Sequence, residues 1–213
     1  MDHDAVLDRV LLCIRFAAND PARDPALARI AKRLSPDADF LGSLTPSPFG
    51  DGAPPRYDAL IDAPVTEDFS SLADLFDTGT IMHRFHVRRR LGKGASLLLP
   101  RAGATVISAI VKRPHLSNAE TDRRWLEHIV LAAEIHHGAS LYLQNLVLRA
   151  SAGSPAYFGF AYLQVPSAEC IGEALFRTPA DMTVINEDVA EFVERADSWV
   201  ARAVDGASRL SHA

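Results

Sequence analysis

The first 90 residues alternate short apolar runs with amphipathic stripes. Val10 to Phe16 carries Leu, Cys and Ile in one run, which predicts a buried strand. Leu27, Ile30, Ala31 and Leu34 recur at i, i+3, i+4 and i+7, the stripe of a helix with one buried face. Pro25 stands near its start, where a missing N–H costs little. Phe40 to Leu44 predicts a second strand, and Thr45 to Pro55, with Pro46, Pro48, Gly50, Gly52, Pro54 and Pro55, predicts a connection. Tyr57 to Val65 alternates as a strand does; Phe69, Leu72, Ala73 and Phe76 then mark a helix, and Ile81 to Arg90 a further strand. The order is βαββαβ, the ferredoxin-like arrangement.

Gly92, Gly94, Pro100 and Gly103 interrupt the pattern, with Leu97 to Leu99 as a short edge pairing, and the order then returns. Val106 to Val111 predicts a strand. Ser117 is an N-cap with Glu120 at the capping-box position, opening a helix from Asn118 to about His136 with Trp125, Ile129, Ala132 and Ala133 on one side. Leu141 to Arg149 and Tyr157 to Val165 predict strands, Ala168 to Phe176 a helix, Asn186 to Ala196 a further helical stretch, and Trp199 to Val204 the last strand. The run Pro55, Tyr57, Ala59, Ile61, Ala63, Val65, Leu75-Phe76 is echoed 100 residues later by Pro155, Tyr157, Gly159, Ala161, Leu163, Val165, Leu175-Phe176. A fixed period means one packing solution used twice. The fold class expected is α+β: two fused ferredoxin-like βαββαβ repeats, residues 1–101 and 102–213, forming a pseudo-dimeric α+β barrel in one chain.

Composition narrows the function classes. An apolar fraction of 48% and a charged fraction of 23% suit a globular chain. A net charge of −5 argues against a general nucleic-acid binder. The two cysteines, Cys13 and Cys170, do not occupy equivalent repeat positions and suggest no disulfide framework. The acidic start Met1-Asp2-His3-Asp4 is unlike a secretory leader, and no apolar stretch reaches the roughly 20 residues a membrane span needs, so no membrane partner and a cytoplasmic location are expected.

Residues Val106 to Arg149 carry Lys112-Arg113-Pro114, Leu116-Ser117, Trp125 and Tyr142-Leu143-Gln144-Asn145, with Asp188 and Phe192 four apart further on. This set resembles the EthD-like family, named for ethyl tert-butyl ether degradation, over about half of the chain. The resemblance implies the dimeric α+β barrel and a small hydrophobic ligand; the family's roles span xenobiotic degradation and polyketide cyclisation or dehydration. Family members place a histidine four residues after the tryptophan, where this chain has Ile129, with His128 one residue earlier. One helical step turns a side chain by about 100°, so His128 is expected to point away from the family direction.

Strand alternation assigns Tyr57, Ala59, Ile61 and Ala63 to a helix-covered face, and Asp58, Leu60 and Asp62 to the barrel interior. The same rule sends Phe158, Phe160, Tyr162 and Gln164 inward, joined by Tyr142 and Gln144. One wall would be acidic and the other aromatic. Asp58 or Asp62 is the candidate general acid or base, since burial raises a carboxylate towards neutrality, and Arg84 and His86 on a nearby strand are candidates to polarise a carbonyl and shuttle a proton. The alternative is that these charges line a solvated rim or pair with one another. His83 and His86, three apart on a strand, cannot chelate one metal; His136-His137 suits a helix end, Arg88-Arg89-Arg90 with Lys93 a solvated edge, and Trp125 the core. No zinc, EF-hand or phosphate-loop spacing is present. The function expected is a cofactor-free lyase, cyclase or isomerase acting on an aromatic or polyketide-like compound, with a non-catalytic ligand carrier and a solid structural barrel as alternatives. The partner expected is a small hydrophobic ligand, and the assembly a monomeric barrel, with pairing through outer helices left open.

Overall fold

The computed structural model describes residues 6–17, 23–47, 55–76, 79–100 and 102–203. The first half runs β1 (Val6–Arg15), α1 (Arg23–Arg33), β2 (Asp39–Pro46), β3 (Ala59–Pro64), a 3-10 turn (Phe69–Leu75) and β4 (Ile81–Lys93). The second runs β5 (Ala104–Lys112), α2 (Asn118–Ile135), β6 (Leu141–Ala150), β7 (Gly159–Val165), α3 (Ile171–Leu175), α4 (Pro179–Ala190) and β8 (Val193–Ala203). Much of the loop expected between Thr45 and Pro55 lies outside the described residues. No helix among the described residues is long and apolar enough to cross a membrane.

The eight strands close a barrel in the order β1-β3-β2-β8-β5-β7-β6-β4. Each half contributes four adjacent strands, and the seams are the antiparallel pairs β4–β6 and β2–β8. Closure leaves none of the described strands at an open sheet edge.

Two apolar layers follow from the pleat. Inside the barrel, Leu11, Cys13, Leu60, Phe85, Val87, Leu143, Phe160, Tyr162 and Trp199 pack together. Outside, α1 and the 3-10 turn cover the first half through Ile30, Leu34, Phe40, Ile61 and Leu72. Each such side chain contributes about 1.5–3 kcal/mol on leaving water.

Local chemistry explains most boundaries. The Ser117 hydroxyl accepts from Glu120 N at 3.1 Å, as expected of the cap, but the Glu120 carboxylate turns to Arg123 and Arg124 instead of closing a capping box. A complete capping box opens α4, where Thr178 and Asp181 satisfy each other's backbone N–H groups behind Pro179. That box moves the helix earlier than the expected Asn186 to Ala196, and β8 begins at Val193, where Val111 and Lys112 of β5 offer a strand to pair with. The Leu97 to Leu99 edge pairing does not form; Leu97 and Leu99 instead pack against the interior cluster, and Leu98 is exposed.

Candidate active site

The barrel interior holds charge, but not the constellation expected. Asp62 faces inward and is fully buried. Arg9 Nε donates to Asp62 Oδ1 at 2.7 Å, and Arg89 Nη2 donates to Oδ2. Arg89 Nε also donates to Asn145 Oδ1 at 2.7 Å and its Nη1 to Leu97 O at 3.0 Å, while Asp39 lies 3.9 Å from Arg9. Two guanidinium groups thus meet two carboxylates inside the barrel, with Asp62 the fully buried member. This is a locked structural network, since every Asp62 oxygen is already held.

The other expected partners do not join it. Leu11 pairs across β1 with both Asp62 and Phe85, and residues directly opposite share a face; Arg84 and His86 therefore point outward. Arg84 stacks over Phe69 at 5.4 Å, and His86 meets Arg149 at 3.1 Å. Asp58 also lies outside the barrel, accepting from Phe16 N at 2.8 Å and pairing with Arg23 at 3.2 Å. Tyr57, expected outside, packs inside, with its hydroxyl 2.7 Å from His83 Nδ1. Here the alternation breaks just before β3, so that Asp58 and Ala59 are consecutive outward residues.

The second half shows the same break. Tyr157 is inside, while Phe158 packs outside on Trp125. Phe160 and Tyr162 face inward as expected, and Gln164 bonds Thr105 Oγ1 at 2.6 Å near the barrel end. Tyr142 and Gln144 do not join them. The β6–β7 register sets Leu143 and Asn145 opposite Tyr162 and Phe160, so Tyr142 and Gln144 belong to the outer, helix-covered side. The basic run is not a solvated edge either: Arg89 is buried, Arg90 clasps Asp122 at 2.7 and 2.9 Å, and Lys93 donates to His136 O at 2.7 Å.

Among the described residues, a space for a ligand lies on that outer side. A cleft of about 380 Å³ lies between the β5–β7–β8 face and helices α2 and α4, a size that suits a small organic molecule. Val106, Ile110, Leu163, Ile185 and Phe192 make it largely apolar, and Trp125, His128, His136 and Tyr142 carry its chemistry. Gly159 sets the position of Trp125: a Cβ there would come within 2.4 Å of the indole ring.

His128, despite its shifted position in the helix, is 7% exposed and lines the cleft. Its Nδ1 lies 2.5 Å from Asp188 Oδ2, and its ring meets Tyr142 edge-on at 6.1 Å between centroids. A carboxylate accepts, so Nδ1 carries the proton and Nε2 offers a lone pair. Burial lowers the His128 pKa and outweighs the raising effect of Asp188, which favours the neutral ring. The Tyr142 hydroxyl accepts from Gln144 Nε2 at 3.1 Å, and burial pushes its pKa up to about 12. It therefore keeps a proton to donate. Among the described residues no cluster of three or more His, Cys, Asp or Glu is placed to hold a metal.

The chain matches no protein-family model and no curated protein sequence. Solved structures do match over nearly its whole length. An anthrone oxidase-like protein aligns with a TM-score of 0.61 at 12% identity, covering 94% of each chain. A candidate monooxygenase from Fusobacterium nucleatum aligns at 0.55 and 9% identity, covering 92% of each chain. The fold is that of the dimeric α+β barrel. At these identities the likeness fixes the architecture alone.

Proposed function

We propose that this dimeric α+β barrel protein is a proton-transfer enzyme of the lyase, cyclase or isomerase type, acting without a cofactor on a small aromatic or polyketide-like ketone bound in the cleft beside α2. The observation that carries this reading is the buried His128–Asp188 pair in an apolar wall, next to a Tyr142 hydroxyl that can donate. A ketone oxygen accepts from Tyr142 O–H. The proton on a carbon conjugated with the carbonyl, adjacent to it or, as in anthrone, across the central ring from it, moves to His128 Nε2, and the C–H electron pair becomes the enolate, with charge on the oxygen held by Tyr142. Asp188 balances the imidazolium that forms. Return of the proton to carbon or oxygen, or attack by the enolate carbon within the same molecule, completes an isomerisation or cyclisation with all atoms conserved. A positioned base of this kind contributes about 10²–10⁴-fold.

Within the fold, the EthD-like reading is favoured by one feature. Trp125, Tyr142 and Phe192 border the cleft, and Asp188 is bonded to a residue that lines it. Duplication of one unit over residues 1–101 and 102–213 is supported by the third strands, Ala59–Pro64 and Gly159–Val165, which begin 100 residues apart. Closure of the barrel within one chain supports a monomer.

Anthrone, named in a protein of the same fold, is a suitable first probe because its ring-methylene protons are acidic. The test is exchange of those protons in D2O, followed by proton NMR. The native protein accelerates exchange over buffer, and His128→Ala lowers that acceleration by about 100-fold or more. Binding of anthrone without acceleration would replace this reading with a ligand carrier.

A further inference from the structure

The cleft contains a second imidazole that the reaction above does not use. His136 caps the C-terminal end of α2, is 6% exposed and lines the same space as His128. Its Nδ1 lies 3.2 Å from the carbonyl oxygen of Leu175, and its ring meets Phe176 edge-on at 5.4 Å. A carbonyl oxygen can only accept, so Nδ1 carries the proton and Nε2 is an unprotonated acceptor. No described residue is hydrogen-bonded to that nitrogen. His128 has the same tautomer for the same reason, its Nδ1–H being directed at Asp188.

The helix-side wall of the cleft therefore offers the two imidazole acceptors and the Tyr142 hydroxyl on a mostly apolar surface, with Ser47, Ser108, Ser198, Asn186, Glu194 and Arg195 also in the lining. His136 stands eight positions after His128 along α2 and its cap, on the order of 12 Å of helix axis. We infer that His136 is a specificity-determining residue that accepts a hydroxyl proton from the ligand, so that the substrates are multi-ring phenolic ketones with a hydroxyl remote from the carbonyl. The inference rests on the same cleft and the same ketone orientation as the proposed function. Neutral imidazole persists there because burial holds the His136 pKa down to about 4, helped by the nearby charge of Lys93.

The experiment compares the affinities of anthrone, 2-hydroxyanthrone and 2-methoxyanthrone, titrated by Trp fluorescence. The native protein binds 2-hydroxyanthrone about tenfold more tightly than anthrone, near the most that one neutral hydrogen bond supplies. The methoxy compound, which has lost its donor, shows no such preference. His136→Phe brings the hydroxyl-to-hydrogen ratio down to about one, and His136→Gln, which retains an acceptor oxygen, restores part of it. A tenfold preference that survives either methylation or His136→Phe overturns the inference. The ratio on native protein is readable whatever the variants do to folding. It is also separable from proton exchange: loss of the preference in His136→Phe sustains this inference even if anthrone proves not to exchange.

Discussion

Replacing Asp62 by Asn tests whether the charge inside the barrel is architectural or catalytic. Asn is nearly isosteric but offers one acceptor oxygen where Asp62 offers two, and it turns an N–H2 towards the second guanidinium. Arg9 and Arg89 are 2% and 0% exposed, so neither can turn to water for compensation. Arg9 keeps the Asp62 backbone carbonyl at 2.8 Å and the Asp37 carbonyl at 3.1 Å; Arg89 keeps Asn145 and Leu97. What is lost is the negative charge between them. Breaking a buried ion pair from one side costs about 3–5 kcal/mol, a large part of a folding stability on the order of 10 kcal/mol. In equilibrium urea unfolding, with a slope of roughly 3 kcal/mol per M, the midpoint falls by about 1–1.7 M. The triple variant Arg9→Met, Asp62→Leu, Arg89→Met removes all three buried groups and regains most of that loss. A midpoint shift below about 0.3 M for Asp62→Asn would refute the locked network, and a shift accompanied by selective loss of anthrone exchange would return Asp62 to the chemistry.

Two more outcomes follow from the same coordinates. Gly159→Ala drives a methyl group into the Trp125 ring, so it destabilises by about 1–3 kcal/mol and weakens anthrone binding, checked by urea unfolding and titration. His136 is held neutral by burial, its pKa lowered from 6.5 to about 4. Between those values the unfolded chain takes up a proton that the folded chain refuses. Its contribution to stability is complete above pH 6.5 and falls away as pH drops to about 4, by at most on the order of 3 kcal/mol. The difference in unfolding free energy between native protein and His136→Phe therefore shrinks over that range, and a pH-independent difference would contradict the assignment.

The order of elements was legible because strand and helix periods are written plainly into the apolar residues. The side-chain faces were not, and the reason is specific. Alternation was carried through Tyr57–Ala59 and Tyr157–Gly159, where the chain enters β3 and β7 with two consecutive outward residues. The acidic member of the inner network, Asp62, was legible from alternation, but its two arginine partners were not, Arg89 being read as part of a solvated edge and Arg9 passing unread. Yet Arg9 lies in phase with Leu11 and Cys13, and Arg89 in phase with Phe85, Val87 and Leu91. The cleft had a signal of the same kind. Trp125, His128, Ile129, Ala132 and His136 stand at i, i+3, i+4, i+7 and i+11, one buried stripe of α2 in which two members are histidines. A polar residue on an apolar phase was the clue in both places. Asp188 could not be paired with His128 from sequence, because α4 and its distance from α2 depend on the capping box at Thr178.

The half of the barrel without the described cleft still bears on the site. α2 carries both histidines, and its two ends are tied to β4 of the first half: Asp122 near the start is clasped by Arg90, and the carbonyls of His136 and His137 at the end accept from Lys93 at 2.7 and 3.2 Å. β4 is in turn fixed from inside by Arg89 and Asn145, which tie it to β6, the strand that carries Tyr142. His128 and Tyr142, the two groups that must lie either side of an enolising carbon, are thus referenced to one strand. A proton transfer needs its donor and acceptor held within a fraction of an ångström, and groups on helices and strands locked by buried bonds meet that demand better than groups on loops. The first half then serves as the frame, its own outer face filled by Ile30, Leu34, Phe40 and Leu72, while the second leaves room for a ligand beneath α4. Arg89, bonded to Asn145 inside the barrel, belongs to the frame behind the proposed site.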